Sequence, residues 1–451
     1  MKKRLFLSLL LAALLLSGCA RRPEEAPAAP APTAAEPSPQ PTPQPTPELT
    51  PEPSPEPTPE PTPEPTPTPE PEHPAWEKRA ALDYEAPERV PAVTADPPPE
   101  ILWSLTYLTD RDYYTKNSYE TATRLRLDFG GETVTGLYLI WDLVPGPYEI
   151  SAEEWSITAG QYDMIHEYVE LPAPAAWLDI SVPAGGLLCD LYAFGDGRLP
   201  DFVQTWLPPA NRADLLLFPT HGDDDLLFFG GTMPYYAGEL GKKVQIVYVT
   251  NHWNEPPRPH EQINGMWTVG VRNYPIVSPY NDLLCETLGD AERIYGDDFR
   301  DFQVRMIRRF QPLVIIGHDL GGEYGHGAHM LNGRSLLESV PLAADPDFDP
   351  ESVEWYGVWD TPKLYLHLYK ENPVHMDWDT PLVNFGGRTA FEMAQAGYRQ
   401  HLSQQHWSFH IYSPYELYSC YDFGLVRSTV GDDVAKNDFL ENIPSRETLS
   451  R

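Results

Sequence analysis

Two short stretches of this 451-residue chain carry side chains that can do chemistry together. The first is His221-Gly222-Asp223-Asp224-Asp225, one imidazole and three carboxylates placed directly after the apolar run Leu215-Leu216-Leu217-Phe218. The second follows another strand-like run, Leu313-Val314-Ile315-Ile316-Gly317, and reads His318-Asp319-Leu320-Gly321-Gly322-Glu323-Tyr324-Gly325-His326-Gly327-Ala328-His329. A catalytic zinc site takes about three protein ligands from imidazole and carboxylate and keeps one position open. His221, Asp224 and His329 can supply those ligands, with Asp223 beside the ion as general base. Imidazole and carboxylate also accept other divalent metals. All of this requires the two strands to lie side by side.

The elements that would position them follow from the pattern after Pro208-Pro209. Strand Leu215–Phe218, a helix-like run from Asp225 to Leu240, and strand Val244–Val249 make a βαβ unit, which favours a parallel sheet. The amphipathic run Phe299–Phe310 leads through Pro312 to the strand ending at Gly317. Sites in open α/β sheets form beyond the carboxyl ends of strands, where both histidine loops fall.

At these residues the chain resembles the PIG-L/LmbE family of metal-dependent N-deacetylases. The family's His-Pro-Asp-Asp-Glu motif is matched by residues 221–225, and its second motif, ending His-Pro-Asp-His, by Tyr324–His329. The resemblance implies that His221, Asp224 and His329 hold the metal, Zn2+ by preference, and that Asp223 is the base. Tyr324 and His326 would serve the oxyanion and the departing amine. Tyr248-Val249-Thr250-Asn251, the pair Arg258 and Glu261 at a substrate-facing helix start, and Tyr398–Gln404 extend the likeness over about 214–405. It implies an α/β, Rossmann-like, mostly parallel deacetylase domain over 212–451 and an N-acetylglucosamine-type substrate. Arg258 is read as a substrate clamp or a solvated arginine, and His318 as pocket wall or a histidine that satisfies a backbone carbonyl.

Three positions depart from the family pattern. Gly222 replaces proline, Asp225 replaces glutamate, and Ala328 replaces the aspartate that would orient His326 and stabilise its imidazolium. The last supports an alternative, a catalytically impaired surface protein that binds glycan. Taken alone, the aspartate triplet also fits a helix N-cap with acidic first-turn residues. His401 and Ser403 lie two apart in a helix-like run and do not face each other.

Ahead of this domain, 98–208 shows short alternating runs separated by Gly, Pro, Asp and Asn, including Thr123–Phe129, Val134–Trp141, Trp177–Val182 and Leu187–Phe194. This predicts an all-β, jelly-roll-like sandwich. Leu105–Asp110 and Gly136–Trp141 give it a weak resemblance to discoidin or galactose-binding modules.

Residues 1–19 carry a basic start, a short apolar stretch and Leu16-Ser17-Gly18-Cys19. They read as a secretory signal whose end resembles a bacterial lipobox, so Cys19 is the expected lipidation site and the protein is expected outside the cytoplasm, anchored to the membrane through that lipid. Residues 20–75, dominated by Pro, Glu, Thr and Ala, form a spacer that cannot bury a core. At ~3.1 Å per residue, roughly fifty residues reach on the order of 150 Å. A net charge of −34 argues against nucleic acid as partner. The glycine-rich stretch 321–327 lacks the Gly-Lys-Ser/Thr ending of a phosphate loop, which argues against nucleotide. Cys189, Cys285 and Cys420 indicate no disulfide framework; they are expected as buried free thiols, with one Cys285–Cys420 bridge as the alternative.

Overall fold

The computed structural model describes residues 75–449, so the signal, Cys19 and the spacer lie outside the described residues. The strands in chain order are β1 (Ala92–Asp96), β2 (Asn117–Tyr119), β3 (Thr123–Asp128), β4 (Val134–Trp141), β5 (Tyr148–Ser151), β6 (Ser156–Ala159), β7 (His166–Ala175), β8 (Trp177–Val182) and β9 (Gly186–Phe194). These nine form two antiparallel sheets, β1-β3-β8-β5-β6 and β2-β9-β4-β7. In β3 the alternation Thr123, Leu125, Leu127 inward against Arg124 and Asp128 outward is the one-sided burial that period two dictates. Most of the Leu105–Asp110 run, which opened the likeness to discoidin modules, lies in a 3-10 helix, Leu102–Thr109. Its apolar residues pack against β9 rather than adding an edge.

The second group is β10 (Leu215–Leu217), β11 (Val244–Tyr248), β12 (Ile276–Val277), β13 (Val314–Gly317), β14 (Lys363–His367), β15 (Pro373–His375) and β16 (Asp422–Ser428). They make one mixed sheet, β12-β11-β10-β13-β14-β16-β15, parallel from β12 to β14 and antiparallel beyond. Both faces are covered, so the strands read as continuous apolar runs. Leu215, Leu217, Ile246, Val314 and Ile316 join a core continuous with the sandwich interior. Leu216, Val247, Ile315 and Leu364 face the opposite layer with Phe299, Ile307 and Leu336.

β10 and β13 are neighbours in register, Leu215 with Val314 and Leu217 with Ile316. The chain leaves β10 toward β11 on one side and returns to β13 on the other, so the sheet's growth reverses between them. Such a point opens a crevice at the strands' carboxyl ends.

The helix expected over Asp225–Leu240 is broken. A four-residue turn, Asp224–Leu227, is followed by a wider π-helical segment, Met233–Glu239. The break falls at Gly230-Gly231, where any Cβ would collide with Cys420 and with the indole of Trp378. Cys189, Cys285 and Cys420 are free and buried. No described helix is long and apolar enough to cross a membrane.

Candidate metal centre

The loop after β10 is fixed from three sides before any functional side chain is placed. Phe218 N donates to Ile316 O at 3.0 Å, which extends the β10–β13 pairing. Asn332, on the helix Gly327–Ala343, donates through Nδ2 to Phe218 O and Thr220 Oγ1, both at 2.9 Å. Thr250 Oγ1 donates to Thr220 O at 2.6 Å. Asp223 occupies the N-cap position of the short turn but makes no side-chain cap, so the carboxylates are not explained as helix caps.

Three donor atoms meet beyond this loop. Asp224 Oδ2 accepts from His221 N at 2.7 Å and stands 3.0 Å from His221 Nδ1 and 3.1 Å from His329 Nε2. His329 Nε2 is 3.0 Å from His221 Nδ1. The far nitrogens decide what faces the centre. His329 Nδ1 lies 3.0 Å from Glu323 Oε2, and His221 Nε2 lies 3.3 Å from Asp282 Oδ1, so each ring gives its proton to a carboxylate behind it. Two imidazole lone pairs and a carboxylate then converge, an arrangement that repels itself unless a cation sits among them. Donors around a four-coordinate zinc ion are ~3.3 Å apart, close to these separations. The donor set therefore fits a divalent metal.

The same crowding governs protonation. Burial opposes charge on His221, yet Asp282 and Asp224 outweigh it and raise its pKa to about 10. Burial likewise opposes charge on His329, which Asp224 and Glu323 raise to about 9. Asp224, despite burial, is held well below the usual carboxylate range by His329 and His221. The pocket asks for positive charge.

Asp223 is next to these ligands and buried. Its Oδ1 accepts from Arg258 Nη2 at 3.1 Å. Arg258, read from sequence as a substrate clamp, thus first orients the candidate base. Asp225 is enclosed beside Tyr248, and burial pushes its carboxyl well up.

His326 stands against the centre, its ring centroid 4.9 Å from His221 and 4.7 Å from His329. Its Nδ1 is buried without a partner among the described residues, and Ala328, fully buried in apolar surroundings, offers none. Burial, then the neighbouring His221 and His329, lower its pKa to about 3. Tyr324 adopts a left-handed backbone, φ 60, and its hydroxyl is 2.8 Å from that of Tyr412. Its ring packs with Phe409 and Tyr418, so the aromatic C-terminal segment borders the centre.

His318 is not pocket wall. It is fully buried, its Nε2 accepts from Thr220 N at 3.0 Å, and its Nδ1 donates to Glu323 Oε2 at 2.8 Å, leaving no atom for substrate. Glu261 does not face substrate either. It is buried, accepting from Ser403 N at 2.7 Å and Ser403 Oγ at 2.6 Å, which also removes Ser403 from any pairing with His401.

Sequence reasoning missed Asp282, His252, Glu323 and Asn332. Glu323 collects His318, His329 and His367 Nδ1, the last at 2.6 Å. His252 Nε2 accepts from Gly222 N at 3.1 Å. A proline at 222 could not make that bond, and a Cβ there stands 3.1 Å from Gln262 Oε1, so the glycine is a local fit to His252 and Gln262.

No known family model matches the chain. It is 28% identical over 196 residues to a 1D-myo-inositol 2-acetamido-2-deoxy-alpha-D-glucopyranoside deacetylase from Catenulispora acidiphila, covering 37% of this chain and 60% of that one. A protein of the same name from Frankia casuarinae is 26% identical, covering 39% and 66%, and one from Streptomyces scabiei 28%, covering 34% and 54%. Its relatives are deacetylases. The chain spans 54% to 66% of the length of these three relatives. Among solved structures, N,N'-diacetylchitobiose deacetylase from Pyrococcus horikoshii is 21% identical with a TM-score of 0.34, covering 43% of this chain and 71% of that one. The carbohydrate-binding module of AlyQ is 17% identical with a TM-score of 0.20, covering 24% and 98%.

Proposed function

We propose that this protein is a metal-dependent N-deacetylase, zinc by preference, that hydrolyses the acetamide of an N-acetylglucosamine-type sugar or glycoconjugate. The observation that carries the reading is the convergence of His221, Asp224 and His329 with Asp223 beside them. A divalent ion held there supplies Lewis acidity, polarising a carbonyl and making water acidic enough to attack near neutral pH.

The chain's own residues do the rest. Arg258 fixes Asp223 Oδ1, and Oδ2 takes a proton from the attacking water. The water oxygen bonds to the acetamide carbon, the C–N bond breaks, and Asp223 returns the proton to the amine nitrogen, leaving acetic acid, which ionises to acetate as it gives up the water's second proton. His326 contributes a hydrogen bond to the developing oxyanion rather than a proton, because no carboxylate lies on Nδ1 to stabilise an imidazolium. The sequence of residues 1–19 supports a site of action outside the cytoplasm with the head lipid-anchored through Cys19.

Zinc-loaded protein is expected to release acetate from N-acetylglucosamine-containing substrates, and Asp223→Asn to lower kcat by at least about a hundredfold while retaining metal. Full activity in Asp223→Ala would sink this mechanism. The unpartnered Nδ1 of His326 favours one other reading, a glycan-binding protein that has lost catalysis. A head that binds glycan yet holds no stoichiometric divalent ion after added zinc supports that alternative.

A further inference from the structure

Between the sandwich and the α/β domain lies a cleft of about 300 Å3, the lower end of the ~300–1,000 Å3 range of small-molecule sites. Tyr162 and Asp163, from the loop after β6, form its exposed rim. Trp253, Gln262, Tyr274 and Ser278 supply the opposite wall and floor. Neither His221, Asp224 nor His329 lines it.

Gln262 marks the cleft as built for a ligand. It is 5% exposed, it lines the cleft, and its Nε2 is buried with no hydrogen-bond partner among the described residues. Leaving a buried amide donor unmet costs ~1–3 kcal/mol, a loss that a ligand in the cleft recovers once the Gln262 amide turns toward it. The floor around it is rigid. Tyr274 Oη accepts from Ile165 N at 2.9 Å across the junction, and Ser278 Oγ donates to Val249 O at 2.6 Å. Gln262 also adjoins the metal centre: Gly222, between a metal ligand and the candidate base, would place a Cβ 3.1 Å from its Oε1.

From these features we infer that the cleft binds a second sugar unit of the substrate, so that the preferred substrate is an oligosaccharide rather than a single acetamido sugar. The inference rests on the deacetylase reading. Aromatic rings on a cleft wall suit the apolar face of a pyranose, and an amide donor suits its hydroxyls. The rim carboxylate Asp163 disfavours an anionic sugar and accepts a neutral or amine-bearing one. The sandwich is then a working part of the substrate site, since it contributes Tyr162 and Asp163.

The test uses zinc-loaded full-length protein, titrated with N-acetylglucosamine and with its β-1,4-linked tetramer, read by tryptophan fluorescence and by saturation-transfer NMR. The tetramer is expected to bind at least about tenfold more tightly. Tyr162→Ala, at the exposed rim, and Gln262→Met, of similar size, are each expected to cut that ratio at least about threefold. Equal binding of the two sugars, or a ratio unchanged in both variants, overturns the inference. Acetate release from the same samples separates the two readings. Release without chain-length preference defeats the subsite alone, whereas preference without release keeps the cleft as a glycan site and defeats the hydrolytic reading.

Discussion

Glu323→Gln is the sharpest perturbation of the centre that leaves every proposed ligand in place. The Glu323 carboxylate is fully buried. Its Oε2 accepts from His318 at 2.8 Å and His329 at 3.0 Å, and its Oε1 faces His367 Nδ1 at 2.6 Å and accepts from Asp319 N at 3.2 Å. A glutamine keeps one acceptor oxygen and replaces the other with a donor. With the amide nitrogen in place of Oε2 the His318 and His329 N–H groups lose their acceptor in a dry site, and in place of Oε1 the Asp319 N–H does, at ~1–3 kcal/mol each, so the metal-free fold should lose about 1–6 kcal/mol. If the amide nitrogen faces His329, that ring can answer by moving its proton from Nδ1 to Nε2. The proton then occupies the space between Asp224 and His221 that a metal would take. Loss of such an outer partner lowers metal affinity ~10–100-fold. Competition for zinc against a chromophoric chelator measures the affinity, and thermal unfolding of the metal-free protein measures the fold. Zinc affinity within about twofold of the parent, together with an unchanged Tm, would refute the view that Glu323 sets the His329 tautomer.

Three further outcomes follow from the packing. Gly222→Pro, which restores the residue usual in the resembled family, removes the N–H given to His252 and presses on Gln262; urea unfolding should show a loss of about 1–3 kcal/mol, and a neutral result would contradict the proposed fit. Arg308, fully buried, donates to the carbonyls of Ala343, Phe348, Asp349, Leu342 and Asp345 and to Ser352 Oγ, so Arg308→Met should cost at least about 3 kcal/mol by the same measurement. His260 is held by burial at a pKa of about 4, and His166, 2.9 Å away, is also lowered by burial. The unfolded chain binds the proton from ~6.5 downward while the folded one resists until about 4, so stability falls as pH drops through that window. His260 alone accounts for about 3 kcal/mol, and His260→Gln should flatten the stability profile between those limits.

The sheet was legible because period and composition fixed it: apolar runs such as Leu215–Phe218 and Val244–Val249 can be buried only on both faces, and their order along the chain requires parallel neighbours. The Phe299–Phe310 helix and strands β4 and β8 were equally plain, with an uninterrupted period. The Asp225–Leu240 helix failed because its apolar spacing carries no record of Trp378 and Cys420, which arrive from far along the chain to fill the gap at Gly230-Gly231. Leu105–Asp110 carried no secondary-structure signal of its own, since a short apolar run does not say whether it pairs as an edge or winds against β9.

At the site, a similar division separates what binds from what orients. His221, Asp224 and His329 belong to two compact motifs, because loops at adjacent strand ends can hold their ligands locally. The groups that make those motifs work come from elsewhere: Asp282 from the segment after β12, Asn332 one turn along the following helix, Arg258 from the helix after β11. None lies in a spacing that a ligand motif imposes, since a hydrogen bond to the back of an imidazole can arrive from any element packed behind it. His318 stood open on the sequence between pocket wall and a backbone partner. Its place at a strand end lets Nε2 receive Thr220 N and Nδ1 reach Glu323, so the histidine joins the two loops instead of facing substrate. The same logic bears on Ala328. Orientation of a ring comes from whatever stands behind it, and behind His326 Nδ1 no described residue stands. The chemistry available at this centre is therefore better judged from Asp223, held by Arg258, than from the histidine the motif would nominate.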